Sequence, residues 1–484
     1  MSDNTAEEHT RRERVKRLRE AGIQPYADSF RRTHTLTEAH DLKDGQAKVA
    51  VVGRILMLRV MGKLAFAKIA DEGGEYQIVL QQDELKDKFK LWIKNLDLGD
   101  FVGAEGKTFT TKHGEPSLLV SKLTLLTKAL SPLPEKFHGL TDIEKKYRER
   151  HLDLATNRKT RERFLFRSQL VKTLREFFEK AGFLEVETPV LQTKASGAIA
   201  TPFRTHHEAL DLDCVLRIAP ETYLKRCLIG GFEKVYEFAR CFRNEGIDPT
   251  HLQDFTMLEL YAAYENYEYL MQLAEKMFTE IAKLLGKNEI EFVGKKISFK
   301  APFKKIDLVE AIKSEAKVDV EQANEAEIRK KIEELKIDTP NLAKLGKGNL
   351  IDALYKKVVQ EKIVHPTFIV NHPVELSPLS RRNDKNAARV DRFQLVIGGW
   401  EIINGFSELT DADDQKTRFA EQAKARAGGD KDAMESDDDF VKALAHGMPP
   451  AAGWGIGIDR LAALLTNSEN LKDVVLFPLM KPEN

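Results

Sequence analysis

The sequence has few cysteines and no net charge. Cysteine occupies only three of its 484 positions, Cys214, Cys227 and Cys241. An odd number of widely spaced thiols suits neither a disulfide framework nor a zinc site, and it predicts buried, unpaired thiols in a reducing compartment. Lysine plus arginine and aspartate plus glutamate both number 76. The chain has no net positive charge that would attract a polyanionic partner. Any nucleic-acid contact must therefore depend on local basic patches.

Long apolar runs and two common nucleotide-binding motifs are also missing. No stretch approaches the roughly 18 uninterrupted apolar residues of a membrane span, and the N-terminal MSDNTAEEHTRRER lacks the apolar core of a secretory signal. We therefore expect a cytoplasmic protein. No GxxxxGK[ST] motif occurs, and the glycines of GWGIGIDR lack the strand-turn-helix context of a dinucleotide fingerprint.

The length exceeds that of one ordinary core and predicts two or three domains. Residues 11–19, RRERVKRLR, hold six basic residues and one acid, which suits either a solvated helix or a nucleic-acid arm. We place a basic helical arm at 1–31, a barrel at 32–130, a linker at 131–158 and a catalytic domain at 159–484. A charged helical insert is expected at about 305–362.

Short alternating strands fill residues 47–128 and predict a small Greek-key barrel of the oligonucleotide-binding (OB) type. Five strands are expected, with a helical insert around 84–94. Such barrels stack bases on exposed aromatic rings. Phe66 and Gln77 lie on strands that could form this platform and Glu115 lies at its rim, although the residues alone favour core packing for Phe66.

The central stretch, residues 217–264, predicts a short helix and two long antiparallel strands. The period of two puts Arg243 and Glu245 on one face of the first strand, and Phe255, Glu259 and Tyr261 share one side of the second. An amphipathic hairpin with a solvated charged face would show the same alternation. The connection 244–254 is longer than a tight hairpin needs, which favours a functional loop.

The remaining segments predict supporting elements. An amphipathic helix is expected at 167–183, and the strand LEVETPVL is interrupted by Pro189, which prefers a sheet edge or an interface. Three strands follow residue 366, and the acidic stretch 411–445 is expected to face solvent. In 453–465, alternating glycines leave a strand face without side chains, and Arg460 begins the next helix.

Several motifs together resemble a known family. TPV near 189, EFARC with FRNEGIDPTH, and GIGIDRL occur in the order and spacing of the three class II aminoacyl-tRNA synthetase motifs. With KALSPLPEKFHGL, RIAPETYLKR, HPVELSPLSRRND and NGFSEL, the chain resembles the lysine-specific members of subclass b over nearly its whole length. The resemblance implies an α+β fold, with an N-terminal five-stranded OB-type barrel and a class II catalytic domain on a mostly antiparallel sheet flanked by helices.

The implied activity is ATP-dependent ligation of L-lysine to tRNA(Lys) through a lysyl-adenylate, with release of AMP and pyrophosphate. Arg243 would hold the α-phosphate and Arg460 the γ-phosphate. The implied catalytic and ATP-binding residues are Arg243, Glu245, His251, Phe255, Glu401 and Arg460, with adenine at Glu245, His251 and Phe255. The implied lysine-binding residues are Gly197, Glu221, Glu259, Tyr261, Asn404, Phe406 and Glu408.

Within the implied lysine site, Glu408 with Tyr261 takes the ε-ammonium and Glu221 the α-ammonium, while the partner of Glu259 stays open. Asn404 and Arg243 would clamp the carboxylate, and Phe406 would contact the methylenes. For the barrel, the resemblance makes Phe66, Gln77 and Glu115 readers of a uridine-rich anticodon. It makes the basic run 11–19 a tRNA backbone contact.

Magnesium is expected at Glu401 and at Gln394, which replaces a family glutamate and so leaves the number of ions open. Glu401 and Asn404 cannot share a face of a regular strand, and a bulge near Ile403 or Gly405 would reconcile them. Other departures from the family are Ser196-Gly197-Ala198, Thr201, Leu252-Gln253-Asp254 and Trp400.

Other interpretations are an aspartate- or asparagine-specific relative, a ligase that lysylates a translation factor, and a non-catalytic RNA-binding paralogue. The glutamates disfavour an acidic substrate, and the barrel disfavours the factor ligase. The chain keeps Arg243 and Arg460, which disfavours the non-catalytic paralogue. The Pro189 segment implies a homodimer, because the family uses it between subunits.

Overall fold

The structure is a computed structural model, which describes residues 3–134, 140–198, 200–246, 248–427 and 436–483. Three parts of predicted segments lie outside the described residues: EKFHG at 135–139 in the linker, Ile247 in the long loop, and 428–435 in the acidic stretch. By its internal contacts the chain divides into two compact units, Met1–Arg158 and Lys159–Asn484.

The first unit is built on a barrel. Its elements are α1 (Asp3–Glu20), α2 (Leu36–His40), β1 (Val49–Met61), β2 (Leu64–Ala70), β3 (Glu75–Gln81), α3 (Gln82–Leu85), α4 (Asp87–Asn95), β4 (Phe101–Thr110), β5 (Pro116–Thr127), α5 (Ile143–Arg148) and α6 (Arg150–Thr156). The strands close in the order β1-β2-β3-β5-β4. The predicted five-stranded barrel with a helical insert is therefore confirmed.

Side chains along β2 alternate between the barrel interior and its outer surface. Ala65, Ala67 and Ile69 are buried in the core, whereas Phe66 and Lys68 are half-buried on the opposite face. Phe66 therefore lies outside the barrel core, and the core-packing interpretation of this ring is wrong.

The basic helix α1 is anchored to the barrel by some of its own cations. Leu18 belongs to the barrel core. Arg11 is 3% exposed and donates to the backbone oxygens of Leu98 at 3.0 Å and Ala129 at 3.2 Å. Arg14 pairs with Asp97. The expectation that the whole run 11–19 contacts nucleic acid is therefore corrected, because two of its arginines serve to hold the helix in place.

The second unit contains the other elements. They are α7 (Arg158–Lys180), β6 (Leu184–Glu185), β7 (Leu191–Gln192), β8 (Arg204–His207), β9 (Leu212–Leu216), α8 (Glu221–Ile229), β10 (Lys234–Phe242), β11 (Asp254–Ala263), α9 (Tyr267–Leu285), β12 (Glu289–Phe292), β13 (Lys295–Ser298), β14 (Lys304–Asp307), α10 (Leu308–Ala316), α11 (Glu325–Glu334), α12 (Lys347–Val358), β15 (Thr367–Pro373), β16 (Arg389–Ile397), β17 (Trp400–Ser407), α13 (Ala412–Ala427), α14 (Asp438–Leu444), β18 (Ala451–Gly457) and α15 (Ile458–Leu465). Short 3-10 helices cover Glu208–Leu210, Leu342–Lys344, Gln360–Lys362, Val374–Leu376 and Leu471–Asp473.

An eight-stranded sheet in the order β14-β15-β16-β17-β18-β11-β10-β6 organises this unit. Only its outermost pairs, β14 with β15 and β10 with β6, are parallel. A large apolar cluster includes residues of α7, α9 and α15 together with the sheet. Pro189 lies between β6 at the sheet edge and β7, which belongs to a separate three-stranded sheet. The mostly antiparallel sheet flanked by helices is as predicted.

Strand register aligns polar side chains across one face of the sheet. Asn404 pairs with Gly455, and Gly455 pairs with Glu259. In the next row, Gly453 pairs with Tyr261, and a Cβ on Gly453 would approach the Tyr261 ring to 2.3 Å. The glycine alternation of β18 therefore leaves room for side chains from the neighbouring strands.

A bulge in β17 reconciles Glu401 with Asn404. Leu395 pairs with Ile403 and Val396 pairs with Glu401, which leaves Ile402 as the extra residue. The predicted bulge is confirmed, but it lies at Ile402 and not at the positions expected. Because one residue is added, Glu401 and Asn404 both reach the same cavity.

The acidic stretch 411–445 does not simply face solvent, so that expectation is wrong. Phe419, Phe440 and Leu444 are buried in a cluster with Leu224 and Leu228 of α8. The apolar side chains of α13 and α14 therefore pack against α8. Among the described residues, no helix is both long enough and apolar enough to cross a membrane.

Candidate active site

A cavity of about 320 Å³ opens on the polar face of the sheet. It is lined by residues from β11, β17, β18, α8 and α15 and from the loop after β10. The predicted site residues that line it are Gly197, Glu221, Arg243, Glu245, His251, Phe255, Glu259, Tyr261, Glu401, Asn404, Phe406 and Arg460. Among the residues predicted to bind ATP or lysine, Glu408 is the one that does not line the cavity.

Arg243 is held at the end of β10 by stacking and by the backbone. Its guanidinium lies 5.0 Å from the centre of the Phe255 ring, and Nη2 donates to the Ile218 oxygen at 3.4 Å. Burial lowers the pKa of Arg243 from its ordinary value, with neighbouring carboxylates opposing the shift. An arginine stays charged under such a shift, so a desolvated cation faces the cavity.

Arg460 forms a chain with His251 and Asp248. Its Nη2 lies 2.9 Å from Nε2 of His251, whose Nδ1 lies 2.7 Å from Oδ2 of Asp248. Because a guanidinium only donates, Nε2 of His251 must accept and Nδ1 must carry the proton donated to Asp248. The loop after β10 and the start of α15 are thereby joined at the second cation of the cavity.

The residue before Arg460 fixes the start of α15. Asp459 accepts a hydrogen bond from the backbone N–H of Thr256 at 2.8 Å and pairs with Arg167 of α7. The carboxylate is buried, so these donors compensate its desolvation. The contacts connect α7, β11 and α15 beside the cavity.

The opposite end of the cavity is acidic. Glu221 begins α8, and Glu259 accepts a hydrogen bond from the Tyr261 hydroxyl at 3.1 Å. Burial, together with the charge of Glu221, raises the pKa of Glu259 well above its usual value. Burial also raises the pKa of Glu221, although Lys225 opposes that shift. A cation entering this end would restore the ionised form of these groups.

Lys225 is a functional candidate that the sequence reasoning missed. Its Nζ lies 2.6 Å from Oε1 of Glu221 and 2.5 Å from Oε2 of Glu408. Burial raises the pKa of Glu408 to about 8 against the opposing effect of Lys225. The four-residue spacing between Glu221 and Lys225 on a helix was a usable signal, because such residues share one face.

Glu408 lies just behind the cavity. A Cβ on Gly453 would meet its Oε1 at 2.9 Å, and Gly453 itself lines the cavity. Among the described residues, neither oxygen of Glu408 has a hydrogen-bond partner, and Oε2 forms the ion pair with Lys225. Oε1, which is not in that ion pair, lies at the glycine floor of the acidic end.

Gly197 closes the same end by a close approach to α8. It has a φ of +83°, and a Cβ there would lie 2.8 Å from Cβ of Glu221. Both the positive φ and the contact require glycine. The preceding Ser196, a departure from the family, donates to Asp437 at 2.7 Å and contacts Thr222 at 2.9 Å.

Arg392 is a second residue that the sequence reasoning missed. It lines the cavity and donates to Oδ1 of Asn404 at 2.8 Å. It also donates to the backbone oxygen of Leu376 at 2.8 Å. Its position two residues before Gln394 on β16 was a usable signal, because strand residues two apart share a face. Arg392 orients the amide of Asn404.

Gln394 does not line the cavity, and its expected role as a metal ligand stays a prediction. Its amide nitrogen donates to Glu401, and its oxygen lies 3.3 Å from Nε2 of His372. Burial lowers the pKa of His372 well below its usual value, which favours the neutral ring. Only Glu401 of the expected pair lines the cavity, and no cluster of three or more potential metal-ligating side chains occurs among the described residues.

Three other departures from the family have separate environments. Leu252 packs at the edge of the main apolar cluster, and Trp400 contacts the Phe292 ring with centroids 5.1 Å apart. The backbone N–H of Thr201 donates to Glu245 at 3.2 Å. Because the donor is a backbone N–H, this contact does not depend on the threonine side chain.

The residues expected at the anticodon lie on the barrel. Phe66 and Gln77 are half-buried on its outer surface, and Gln77 donates to Ser117 Oγ at 2.8 Å. Glu115 is exposed in the connection between β4 and β5. The three residues belong to the first compact unit.

Comparison with known proteins gives the same two-part division. A family model described as tRNA synthetases class II (D, K and N) matches residues 142–481, and one described as OB-fold nucleic acid binding domain matches residues 49–126. A protein named lysine–tRNA ligase from Citrobacter koseri is 46% identical over 501 aligned positions, covering 100% of this chain and 97% of the relative. A protein of the same name from Escherichia coli strain K12 is 47% identical over 489 positions, covering 98% and 96%. With a class II model matched over most of its length, the chain belongs to the class II tRNA synthetases of the D, K and N group.

Proposed function

We propose that the chain ligates L-lysine to tRNA(Lys) in two steps, first forming lysyl-adenylate from lysine and ATP. The observation that carries the proposal is that Arg243 and Arg460 share one cavity with Glu221 and Glu259. Cations suit a triphosphate, and carboxylates suit a diamino substrate. The full-length similarity to proteins named lysine–tRNA ligase supports lysine as the amino acid.

In the first step a lysine carboxylate oxygen attacks the α-phosphorus, and pyrophosphate leaves with the electrons of the broken P–O bond. No proton must be removed from a carboxylate nucleophile, so the protein contributes alignment and charge neutralisation. Arg243 would neutralise the α-phosphate, and Arg460 the γ-phosphate. Both are donor-only cations, which suits this task.

The adenine is proposed to lie at Phe255 and Glu245. One face of the Phe255 ring already contacts Arg243, so stacking there would place the base near the α-phosphate cation. His251 contacts Arg460, which favours a position at the phosphate end for this side chain. His251 is therefore proposed to lie at the γ-phosphate and not at the adenine.

The lysine substrate is proposed to bind at the acidic end. Glu221 would bind its α-ammonium, Glu408 with Tyr261 its ε-ammonium, and Glu259 remains as a further acid. Asn404 and Arg243 would hold the carboxylate. Phe406 would lie beside the methylenes, and Gly197 would lie against α8. A neutral side chain would leave a buried carboxylate unpaired, which rejects it by factors of roughly 10⁴ to 10⁵.

Magnesium fits the phosphate end through Glu401. A carboxylate that lines the cavity, together with phosphate oxygens, is a donor set that this hard cation prefers. Bound there, the ion would neutralise phosphate charge. Gln394 would act on it indirectly, because its amide donates to Glu401.

In the second step a hydroxyl of the terminal tRNA adenosine attacks the lysyl carbonyl, and AMP leaves. The barrel is proposed to bind the anticodon through Phe66, Gln77 and Glu115, since outward rings suit base stacking. The exposed cations of α1 would contact the tRNA backbone with salt-sensitive affinity. Those cations are Arg12, Lys16, Arg17 and Arg19.

The decisive experiment is exchange of labelled pyrophosphate into ATP with each amino acid in turn, followed by charging of mixed tRNA. Lysine should support exchange, and lysine should become attached to tRNA(Lys). Exchange restricted to aspartate or asparagine would refute the lysine assignment. Exchange with lysine but no charging would refute the tRNA step.

Two alternatives have less support. An aspartate- or asparagine-specific enzyme belongs to the same family group, but Glu221, Glu259 and Glu408 would repel an acidic substrate. A non-catalytic paralogue would be free to lose its phosphate contacts, and Arg243 and Arg460 are both retained. The exchange experiment separates all three.

A homodimer in the cytoplasm is proposed as the working form. Leu184, Val190, Leu191, Leu210 and Leu212 are exposed apolar side chains around the Pro189 segment, and Leu191 is 50% exposed. Such a group favours a subunit interface. The thiols of Cys214, Cys227 and Cys241 are free, as suits a reducing compartment. Light scattering of the purified chain should give twice the monomer mass, and a monomer mass would refute the dimer.

A further inference from the structure

Lys225 is an unusual residue to find inside a pocket that selects a cation. Its side chain is fully buried, and its Nζ contacts Glu221 at 2.6 Å and Glu408 at 2.5 Å. It therefore bridges α8 and the chain segment that follows β17. Both of its partners are the carboxylates proposed to bind ammonium groups.

Aromatic rings enclose this cation on several sides. The Nζ of Lys225 lies 6.0 Å from the centre of the Tyr261 ring, 5.4 Å from Phe406 and 5.7 Å from Phe440. Ring faces attract a cation and keep water away from it. In such surroundings the two ion pairs are weakly screened. Removal of the Lys225 charge would therefore strongly disfavour the ionised forms of both carboxylates.

The charges at the acidic end balance a diamino substrate only when Lys225 is included. Glu221, Glu259 and Glu408 would together carry three negative charges. The single positive charge of Lys225 would reduce this total to two negative charges. The α- and ε-ammonium groups of lysine supply two positive charges. Without the internal cation, one buried carboxylate would have no counter-charge and would take up a proton.

We propose that Lys225 is a positioning residue of the amino-acid pocket, which favours the ionised forms of Glu221 and Glu408 and holds both carboxyl groups in place for the two ammonium groups of the substrate. The inference rests on the proposed function, because it concerns the pocket that is proposed to bind lysine. It also gives Glu408 two distinct oxygens. Oε2 faces Lys225, and Oε1 remains for the substrate at the Gly453 floor.

The test replaces Lys225 with methionine, which keeps most of the side-chain length and removes the charge. In pyrophosphate exchange at pH 7, Lys225→Met should raise the KM for lysine by roughly 10- to 100-fold. The KM for ATP should change by less than about twofold, because Arg243 and Arg460 do not contact Lys225. Lys225→Arg, which keeps the charge, should recover part of the loss.

A pH profile separates charge from simple packing. Loss of Lys225 would raise the pKa of Glu221 and Glu408 further, so their ammonium-binding ionised forms would require higher pH. The lysine KM of Lys225→Met should therefore fall from pH 6.5 to pH 8.5 more steeply than that of the unchanged protein. The other ionisable groups that face these carboxylates are Glu259 and Tyr261, and they are the same in both proteins.

A double variant tests the shared charge. If Lys225 balances Glu408, Lys225→Met should raise the lysine KM of the Glu408→Gln variant much less than it raises the lysine KM of the unchanged protein. The matched control is Lys234→Met, because Nζ of Lys234 lies 5.3 Å from the Tyr269 ring and 5.6 Å from Phe183, outside the cavity. This control should leave both KM values within about twofold of normal.

The possible results separate this inference from the proposed function. If the unchanged protein exchanges pyrophosphate with lysine but Lys225→Met keeps a normal lysine KM, only the role of Lys225 is refuted. Equal rises in the KM values for lysine and ATP, with a lowered melting temperature, would also refute it and indicate a structural role. If the unchanged protein does not respond to lysine, the proposed function itself fails.

Discussion

Glu408 is a buried carboxylate whose two oxygens have different surroundings. Its Oε2 forms an ion pair with Lys225, whereas Oε1 lies at the Gly453 floor. The sequence resemblance assigned Glu408 to the lysine site, and that role stays a prediction. It did not indicate Lys225, because the effect of that residue depends on three rings and two carboxylates that meet only in the folded chain.

Glu408→Gln should weaken lysine binding far more than ATP binding. The amide keeps the shape but cannot balance an ammonium, so the lysine KM in pyrophosphate exchange should rise roughly 10- to 100-fold. The ATP KM should stay within about twofold. Glu265→Gln, a change outside the cavity, should leave both values near normal. Equal losses for lysine and ATP would contradict the assignment of Glu408.

Gln394→Glu should tighten metal binding. Gln394 is within hydrogen-bond distance of Glu401, so a carboxylate there would add negative charge beside the proposed Mg²⁺ position. Mn²⁺ binding, measured by electron paramagnetic resonance with a non-hydrolysable ATP analogue, should be several-fold tighter, by about 1 kcal/mol.

Gln394→Met is the control for this comparison, because it removes the amide without adding charge and should not tighten binding. Identical Mn²⁺ titrations for the glutamine and glutamate forms would show that this departure from the family is immaterial. Weaker binding in Gln394→Glu would show that the hydrogen bond to Glu401 matters more than charge.

At the scale of elements, the position of α15 depends on Asp459, an acid to which no phosphate contact is assigned. Asp459 accepts from the N–H of Thr256 and pairs with Arg167, so it joins three elements beside Arg460. The glycine alternation and the helix start were predicted from the sequence. The partners of Asp459 were not, because Arg167 and Thr256 are distant along the chain.

Asp459→Ala should lower stability and weaken ATP binding. A buried backbone N–H and Arg167 would lose their acceptor, at a cost of roughly 1 to 3 kcal/mol measured by urea unfolding. The ATP KM should rise by about three- to tenfold because Arg460 loses its support. Asp459→Asn keeps an acceptor oxygen and should be milder. Similar rises in the lysine and ATP KM values would argue against a specific effect on the phosphate end.

The bulge in β17 shows the limit of a regular strand pattern. The period of two required an irregularity between Glu401 and Asn404, and the structure contains one. Its position at Ile402 depends on the register with β16, where Val396 pairs with Glu401. A sequence pattern can therefore require a bulge, but pairing with a neighbouring strand decides where it lies.

At the scale of the whole molecule, the basic arm is divided between structural and exposed cations. Arg11 and Arg14 hold α1 to the barrel, while Arg12 and Arg17 are exposed. Composition alone treats these residues alike. Burial separates them, because each turn of a helix presents only some of its side chains to a neighbouring surface.

The double variant Arg12→Gln/Arg17→Gln should weaken tRNA binding without affecting amino-acid activation. The tRNA KM should rise, and the slope of log affinity against log salt should fall by about 1 for each lost phosphate contact. Pyrophosphate exchange without tRNA should be unchanged. Arg11→Gln is the contrasting variant, and it should lower the melting temperature because the backbone oxygens of Leu98 and Ala129 lose the guanidinium that donates to them. An unchanged salt slope in the double variant would contradict a tRNA contact by the arm.

The sequence by itself determined the barrel, the mostly antiparallel sheet and the family, and twelve of the residues that it singled out line the cavity. It could do so because strand alternation, helix spacing and motif order are local properties of the chain. Only the tertiary structure decided that Lys225 faces the buried acids Glu221 and Glu408, that Gln394 turns toward His372 and Glu401, and that α13 and α14 bury aromatic rings. These features depend on which distant side chains pack together, and no local pattern specifies that.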